Sequence, residues 1–508
     1  MKRLQKIAQH RRNHQQAVRQ RILARYLMNY AEPVHKEMPC LRQFQDLKQD
    51  FYTHVLVIPA FDEPAGFLEP LLPSSLQQTL VIVVVNAAED SDRAALERTQ
   101  SLWQSFHMLG NGIKVVSSLS SESSSIPLER YCLISHNATT TVLVVDCCTD
   151  GHQLPPNQGV GLARKIGGDI ALAYMLQGIV TSDWIHYTDA DVVLPEDFFQ
   201  MTWTVHRGRQ TNTIYIEGKP DDIAVVLYPF QHQPLHRHIL LYELSLRYYV
   251  TELAAARSPY AFHTIGSLMC VNGLHYAKVR GFPKRKAAED FYMLNKLAKT
   301  GAVVQMRSPI VTLASRLSHR VPFGTGAMMT KLTGVDEFRF YHPAIFQDLR
   351  EWMDCIEALW PPPQLSRPKE EGNPKEEGNN WLETWFSQSQ WQGACWIDCV
   401  KAMGLAKTLT QAYRQSRDRH HFRLYIWTWF DAFRTLKFVH YLRDHHYPSL
   451  SEDEWLKLTY MHEKGDLGIV STTNSVAINE KQLEKINQYF CHLEETLTPI
   501  VGPTVSFL

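Results

Sequence analysis

An apolar run that ends in two closely spaced carboxylates constrains this chain most strongly. The run from Trp184 to Tyr187 is apolar enough to form a buried strand, and Asp189 and Asp191 follow it with one residue between them. Carboxylates at the C-terminal end of a strand suit Mg²⁺ or Mn²⁺, which prefer oxygen ligands and keep open positions for phosphate oxygens. An Asp-rich turn after a strand is the alternative interpretation.

Three earlier apolar runs also deliver polar residues where they stop. They are the runs from His54 to Pro59, from Leu80 to Val85 and from Leu143 to Val145, which are followed by Asp62 and Glu63, by Asn86 and by Asp146. Sheets of α/β proteins bind ligands at the C-terminal ends of their parallel strands. The pattern therefore predicts an α/β fold with a mostly parallel sheet flanked by helices and a nucleotide site at one edge.

A glycine-rich segment precedes the paired carboxylates. The stretch from Leu162 to Gln177 is predicted to be a helix that carries Arg164 and Lys165 near its start. Backbone N–H groups at a helix N-terminus and a basic side chain beside them can face a diphosphate. A plain connection before a helix is the alternative, because glycine permits close backbone approach in either case. The glycines are Gly159, Gly161, Gly167 and Gly168.

Taken in order, these segments resemble the nucleotide-sugar-dependent glycosyltransferases of the GT-A fold, most closely the family 2-like group. The stretch from Val57 to Glu63 is similar to the family's opening strand and donor loop, and that from Gly159 to Gly167 to its Gly-rich, Ala-Arg segment. Asp189-Ala190-Asp191 lies where the family has its DxD motif, and Ala288-Glu289-Asp290-Phe291 lies where it has a catalytic Glu-Asp pair. The likeness extends from Thr53 to Gly326.

The chain departs from the family pattern at two positions. Asp62 stands where Asn is more usual, and Asn86 stands where an Asp usually touches the nucleobase. Asp146 could supply that carboxylate, or it could cap the end of its strand. The resemblance implies that the donor is contacted by Pro59, Ala60, Asp62, Glu63, Asn86, Asp146, Gly161, Arg164, Lys165, Asp189, Arg316 and Arg320.

The same resemblance assigns the chemistry. Asp290, with Glu289 beside it, is expected to be the general base that takes the proton of an acceptor hydroxyl. The alternative is that the two acids only stabilise the N-terminus of a helix, since the helix dipole favours acidic side chains in the first turn. Asp189 and Asp191 are expected to hold the divalent metal, with His319 as a third ligand. The alternative for His319 is that it is only polar surface, as a lone His in a loop often is. Arg316 and Arg320, from the same loop, are expected to neutralise the departing nucleoside diphosphate, because this leaving group is an anion.

The segment from Ser258 to Ser267 mixes aromatic rings, hydroxyls and an imidazole. This mixture suits an acceptor subsite formed by Tyr260, His263 and Thr264. Aromatic loops also fill protein cores, so a packing role is the alternative.

Composition narrows the class of protein. The chain has 52 basic and 52 acidic residues, so it has no overall field that would attract nucleic acid. Its nine cysteines are scattered, as is typical of free thiols. It has neither a run of about 18 apolar residues nor an apolar signal core after its start. We expect a cytoplasmic enzyme.

The basic N-terminal stretch predicts either peripheral membrane contact or a solvated helix that packs against the catalytic domain, and we favour the solvated helix.

The domain organisation follows from these patterns. We predict a basic helical extension at 1–50, a GT-A-like catalytic domain at 51–350, a polar linker at 361–380 and a helical C-terminal region at 381–508. The linker contains a tandem copy of Pro-Lys-Glu-Glu-Gly-Asn, and the C-terminal region has aromatic residues at helical spacing.

The sequence thus predicts an enzyme that moves a sugar from a nucleoside diphosphate sugar to a hydroxyl acceptor, with inversion, using Mn²⁺ or Mg²⁺. A sugar nucleotidyltransferase is one alternative, but its Gly-rich basic loop belongs directly after the first strand, where this chain has Phe61-Asp62-Glu63-Pro64. A nucleotide-sugar-binding scaffold without activity is the other alternative, for which Glu289 and Asp290 would be dispensable.

Overall fold

A computed structural model of the protein describes residues 2–43, 51–108, 130–199, 220–315, 338–360, 382–460, 479–497 and 500–503. The strands are β1 His54–Ala60, β2 Thr79–Asn86, β3 Tyr131–Ser135, β4 Thr141–Cys147, β5 Trp184–Tyr187, β6 Val192–Val193, β7 Ile223–Leu227, β8 Phe230–Gln233, β9 Met269–Asn272, β10 Ala302–Gln305, β11 Val311–Ala314, β12 Arg339–Phe340, β13 Leu450–Ser451 and β14 Ile500–Val501.

The α-helices are α1 Lys2–Asn29, α2 Leu68–Leu71, α3 Arg93–Met108, α4 Gly159–Leu176, α5 Arg237–Ala255, α6 Gly273–Lys278, α7 Glu289–Leu297, α8 Pro343–Ala358, α9 Ile397–Ala402, α10 Leu405–Gln415, α11 Arg419–Trp429, α12 Ala432–His445, α13 Glu452–Tyr460 and α14 Glu480–Leu497. Short 3₁₀ turns lie at Pro33–Lys36, Leu41–Gln43, Pro220–Asp222 and Gly266–Leu268.

The described residues form two compact units. Unit 1 is made of residues 1–234 and 264–327, and unit 2 of residues 235–263 and 328–508. The predicted catalytic range of 51–350 differs from unit 1, because α1 belongs to unit 1 and α5 belongs to unit 2. The predicted linker lies outside the described residues.

A mostly parallel sheet forms the centre of unit 1. Its strands follow the order β10-β7-β9-β5-β1-β2-β4-β3. Strands β1, β2, β4 and β5 run parallel to one another, β7 and β10 pair in parallel, and β9 and β3 run antiparallel to their neighbours. A second small sheet contains β6, β11 and β8. The predicted α/β architecture is therefore confirmed.

Local sequence explains the central strands. All eight residues of β2 are buried, as expected for a strand covered on both faces, and its Val and Ile side chains suit the pleated surface. Helix α4 packs on β1 and β2 closely enough that a Cβ on Gly167 would lie 2.4 Å from Cγ1 of Val57. The predicted strands and the predicted helix after Gly161 lie within a few residues of the observed elements.

The N-terminal helix α1 is tied to α4 by a buried polar cluster. Its Leu23, Tyr26 and Leu27 are buried. The carboxylate of Asp169 on α4 accepts hydrogen bonds from the Tyr26 hydroxyl at 2.5 Å and from Lys165 Nζ at 3.2 Å. This contact is the one expected of a helix that leans on the catalytic domain, while the predicted membrane contact stays a prediction.

Unit 2 is mainly helical, as predicted. Its core contains the large, fully buried side chains of Trp352, Trp396 and Trp455. Helices α5 and α14 are joined by Asn487, whose amide donates to the Leu240 carbonyl at 2.9 Å. None of the described helices is long and apolar enough to cross a membrane. All nine cysteines are free thiols, as the scattered spacing predicted.

Candidate active site

The predicted metal-binding carboxylates lie in the short loop between β5 and β6. The loop is fixed at both ends, since the Thr188 amide donates to the Val57 carbonyl on β1 at 3.1 Å and β6 pairs with β11. The Asp189 side chain is 36% exposed, so a ligand in solution can reach it. The C-terminal ends of β1, β2 and β4 lie at the same edge of the sheet, because these strands are parallel to β5.

A buried arginine joins two of the predicted motifs. The Arg164 guanidinium is only 3% exposed, and its Nη2 donates to Oδ1 of Asp189 while its Nη1 donates to Oε1 of Glu289. The planar guanidinium presents N–H groups in a fixed fork, which allows it to hold two carboxylates at once. Arg164 therefore brings α4, the loop after β5 and the start of α7 to one place.

The predicted catalytic pair, Glu289 and Asp290, lies in the first turn of α7, and the sequence predicted this helix start. Ala288, directly before it, has a left-handed backbone with φ of 59°, which an L residue adopts only at some cost. Glu289 is buried, whereas Asp290 is partly exposed. The Asp290 carboxylate accepts from its neighbour's amide, that of Phe291, at 2.7 Å and from the amide of Gly266.

Burial dominates the electrostatics of this pair. It raises the pKa of Glu289 to about 7, although the Arg164 guanidinium acts in the opposite direction. Although part of the Asp290 residue is exposed, its carboxyl group is largely desolvated, and this raises its pKa against the opposing effects of Arg164 and the two amides. Both carboxyl groups are therefore easier to protonate than an ordinary Asp or Glu, which is a property expected of groups that exchange protons with a substrate.

Sequence reasoning missed Gly266, which lies in the 3₁₀ turn before β9. A Cβ atom at this position would lie 2.5 Å from Nη2 and 2.7 Å from Cζ of Arg164. Such distances are shorter than real contacts, so only glycine leaves room for the guanidinium as it lies. The available signal was a glycine just before a strand whose start faces the ligand edge.

The basic pair Arg164-Lys165 is split by the helix. Consecutive residues of a helix point about 100° apart, and Lys165 is directed away from Asp189. Its Nζ donates to the Tyr26 hydroxyl at 2.7 Å and to the Tyr30 carbonyl at 2.9 Å, in the cluster that anchors α1. The Lys165 ammonium is buried among these partners, which disfavours its predicted contact with the sugar donor.

The glycine-rich segment packs against protein. The amide of Gly161, in the first turn of α4, donates to the Arg285 carbonyl at 3.0 Å, and a Cβ there would lie 2.4 Å from the Pro283 carbonyl oxygen. That amide thus has a protein partner. The close approach that the sequence predicted for Gly161 is made to the segment before α7.

Residues at the other strand ends have protein partners too. The buried Asn86 donates to the Ala60 carbonyl, at the end of β1 after Pro59, with an N–O distance of 3.2 Å. Asp62 has φ of 57° and accepts from Arg98 at 2.6 and 3.0 Å. Glu63 is buried. These contacts order the loops at the predicted nucleotide edge, and the predicted donor contacts of these residues stay predictions.

Asp146 has the surroundings of a capping residue. Its carboxylate accepts from the amides of Cys148 and Thr149 at 2.9 and 3.1 Å, from the Thr149 hydroxyl, and contacts Nδ1 of His152 at 2.7 Å. Burial acts to raise the pKa of Asp146, but these hydrogen bonds outweigh it and lower the pKa. The arrangement favours the capping alternative over a base-contacting role.

The predicted acceptor residues do not share one compact unit. Tyr260 and His263 belong to unit 2, and Thr264 belongs to unit 1. The buried Tyr260 donates to the Trp427 carbonyl at 3.0 Å, and Nε2 of His263 lies 2.7 Å from a carboxylate oxygen of Glu494. These contacts favour the packing alternative for the two aromatic side chains.

Three predicted residues, His319, Arg316 and Arg320, lie outside the described residues. Within the described ranges, no three His, Cys, Asp or Glu side chains are grouped so that they could hold a metal ion by themselves. The donor set of Asp189 and Asp191 nevertheless fits a hard divalent cation that takes its remaining ligands from phosphate and water. Arg164 itself interacts with three carboxyl groups, because Asp290 acts on it electrostatically beside its two hydrogen-bond partners, Asp189 and Glu289.

Comparisons with known proteins gave likenesses of structure alone. No family model and no curated protein matches the chain. The N-terminal 349 residues of Staphylococcus aureus TarS in complex with UDP-GlcNAc are 10% identical, with a TM-score of 0.30 over 77% of this chain and 90% of that one. A second structure of the same TarS fragment is also 10% identical, with a TM-score of 0.28 over 73% of this chain and 90% of that one.

Proposed function

We propose that this protein is a metal-dependent, inverting glycosyltransferase of the GT-A, family 2-like kind, which transfers a sugar from a nucleoside diphosphate sugar to a hydroxyl acceptor. One observation carries the proposal. Arg164 contacts both Asp189 and Glu289, so the DxD-like and Glu-Asp-like segments, 100 residues apart in sequence, meet at the ligand edge of a parallel sheet. If the two segments are the glycosyltransferase motifs that they resemble, they must lie close together in the fold. If Asp189 and Asp191 only form a turn, and Glu289 and Asp290 only begin a helix, nothing requires them to be close.

Asp189 and Asp191 would hold Mn²⁺ or Mg²⁺ against the donor diphosphate. When bound, the cation would offset the negative charge that develops on the leaving nucleoside diphosphate. The 36% exposure of Asp189 leaves it open to such a ligand.

Asp290 is the proposed general base. It accepts the proton of the acceptor hydroxyl as that oxygen forms a bond to the anomeric carbon, and the bond from that carbon to the diphosphate oxygen breaks. A single displacement needs one base, and the partly exposed Asp290 can reach the acceptor while Glu289 is held by Arg164. The backbone amides of Gly266 and Phe291 donate hydrogen bonds to the Asp290 carboxylate and so orient it for this step.

Nucleotide binding tests the donor half of the proposal. We expect nucleoside diphosphates, screened with Mn²⁺, to raise the melting temperature of the parent, since a ligand that binds only the folded state stabilises it. Asp191→Asn should abolish the part of the shift that depends on Mn²⁺, because an amide is a poorer ligand for the cation. Asp183→Asn, at a surface carboxylate paired with Arg19, is the matched control and should keep the shift. A shift that persists unchanged in Asp191→Asn would refute the metal assignment.

A further inference from the structure

The contacts of Arg164 give it a role in the proposed reaction that differs from binding the diphosphate. Nη1 and Nη2 already donate to Glu289 and Asp189, and the side chain is buried. Within the described part of the chain, its Nε is buried without a hydrogen-bond partner. The guanidinium is therefore directed at two carboxylates rather than outward to solvent.

Stability alone does not account for such an arrangement. A buried ion pair gains little over apolar residues of similar volume, because desolvation of the charges offsets their attraction. An additional unpaired N–H and the left-handed backbone of Ala288 add to the cost. Polar networks that are kept at such a cost are common where side chains must be oriented for chemistry.

We propose that Arg164 is a positioning residue for the transfer reaction, and that Gly266 is required to leave space for it. This inference rests on the proposed function. Arg164 holds one oxygen of Asp189, so that the remaining lone pairs of this carboxylate are directed towards the cation site. It also holds Glu289, and thereby sets the first turn of α7, from which Asp290 faces the acceptor. Arg164 thus fixes the positions of Asp189, at the proposed donor site, and Asp290, at the proposed acceptor site, relative to each other.

Gly266 contributes in two ways. Its missing side chain admits the Arg164 guanidinium, and its amide donates to the Asp290 carboxylate. A methyl group at 266 would need the guanidinium to move by several tenths of an ångström, since its Cβ would lie 2.5 Å from Nη2. Gly266→Ala therefore disturbs the position of Arg164 without removing any charged group.

Gly266→Ala tests the positioning role, with Gly273→Ala as the matched control. A Cβ at Gly273 would meet the methyl ends of Met175 and Leu172 at 2.9 and 3.0 Å, so it presses on the same helix α4 through flexible apolar side chains. We expect Gly266→Ala to lower kcat by roughly 10–100-fold and to weaken binding of Mn²⁺ alone by about tenfold, with a smaller change in donor KM. Gly273→Ala should leave these three quantities near those of the parent.

Arg164→Lys provides a second, independent variant in case alanine at 266 prevents folding. Lysine keeps the charge but cannot hold two carboxylates as a fork, so we expect the same loss of kcat and of Mn²⁺ affinity. Arg247→Lys is its control, because Arg247 is also a buried arginine held by two carboxylates, those of Glu243 and Glu494 in unit 2. Arg247→Lys should change stability but neither kcat nor the affinity for Mn²⁺.

The outcomes separate this inference from the proposed function. A parent protein that neither binds Mn²⁺ nor transfers sugar would refute the proposed function and the positioning role together. A parent that does both, with folded Gly266→Ala and Arg164→Lys variants within about twofold of it in kcat and in Mn²⁺ affinity, would overturn the positioning role alone.

Discussion

Replacing Asp169 with Asn should strongly destabilise unit 1. Asp169 is fully buried on α4, and its carboxylate accepts four hydrogen bonds, from Tyr26 at 2.5 Å, Tyr276 at 2.9 Å, the Glu32 amide at 2.8 Å and Lys165 at 3.2 Å. An amide has only one acceptor oxygen, so its NH₂ group would face groups that are themselves donors. The ammonium of Lys165 would also lose its buried counter-charge.

The expected loss follows from these contacts. Removing one partner of a buried ion pair costs roughly 3–5 kcal/mol, because the other charge remains buried without compensation. This is a large fraction of the roughly 5–15 kcal/mol that stabilises a typical protein. Since Tyr26 belongs to α1, we also expect amide hydrogens of α1 to exchange faster with solvent in the variant.

Urea unfolding at pH 7, followed by fluorescence, measures the loss. Asp183→Asn is the control, because Asp183 is also paired with α1, through Arg19 at 2.7 Å, but its side chain is 52% exposed. Exposed pairs contribute about 0–1 kcal/mol, so the control should change little. Burial raises the pKa of Asp169, against the effects of Lys165 and Tyr26. If burial raises this pKa so far that the Asp169 carboxyl group is protonated at pH 7, Asp169→Asn should change the free energy of unfolding as little as Asp183→Asn does. That result would refute the ion-pair reasoning.

Three further predictions concern the candidate site and its surroundings. Asp290→Asn should lower the single-turnover rate by roughly 10²–10⁴-fold with donor affinity nearly unchanged; an active variant would remove Asp290 from the mechanism. Between pH 4.5 and about 7 the folded protein should hold a proton on Glu289 that the unfolded chain has lost, so stability should fall by up to roughly 3 kcal/mol as the pH rises through this window. Glu289→Gln should flatten that dependence in urea titrations, and parallel curves for the two proteins would contradict it. Asp146→Asn should cost roughly 1–3 kcal/mol at pH 7, and the difference from the parent should close as the pH falls below 3.8, because the lowered pKa of Asp146 stabilises the fold only while the group is ionised. Equal stability at pH 7 would show that its hydrogen bonds contribute nothing net.

Local pattern was sufficient for the framework of the fold. The apolar runs that end at Pro59, Val85, Val145 and Tyr187 lie in parallel strands of one sheet. Glu289 begins a helix, as its position in the apolar pattern indicated. Strand periodicity and helix capping depend on neighbours a few residues away, so the sequence carries them directly. The sheet edge at which the polar residues gather follows from the shared direction of these strands.

Tertiary structure decided which polar residues work together. Arg164 and Lys165 are adjacent and chemically similar, yet one joins Asp189 to Glu289 and the other joins α1 to Asp169. Nothing local distinguishes them, because the outcome depends on which face of α4 meets each distant segment. The need for Gly266 likewise becomes apparent only when the turn before β9 lies against the Arg164 guanidinium. The sequence by itself determined the strands, the helices and the edge of the sheet at which polar residues gather. Packing between segments far apart in the chain determined the partner of each charged group. A charge that is removed from water needs a counter-charge, and only the fold decides which one lies close to it.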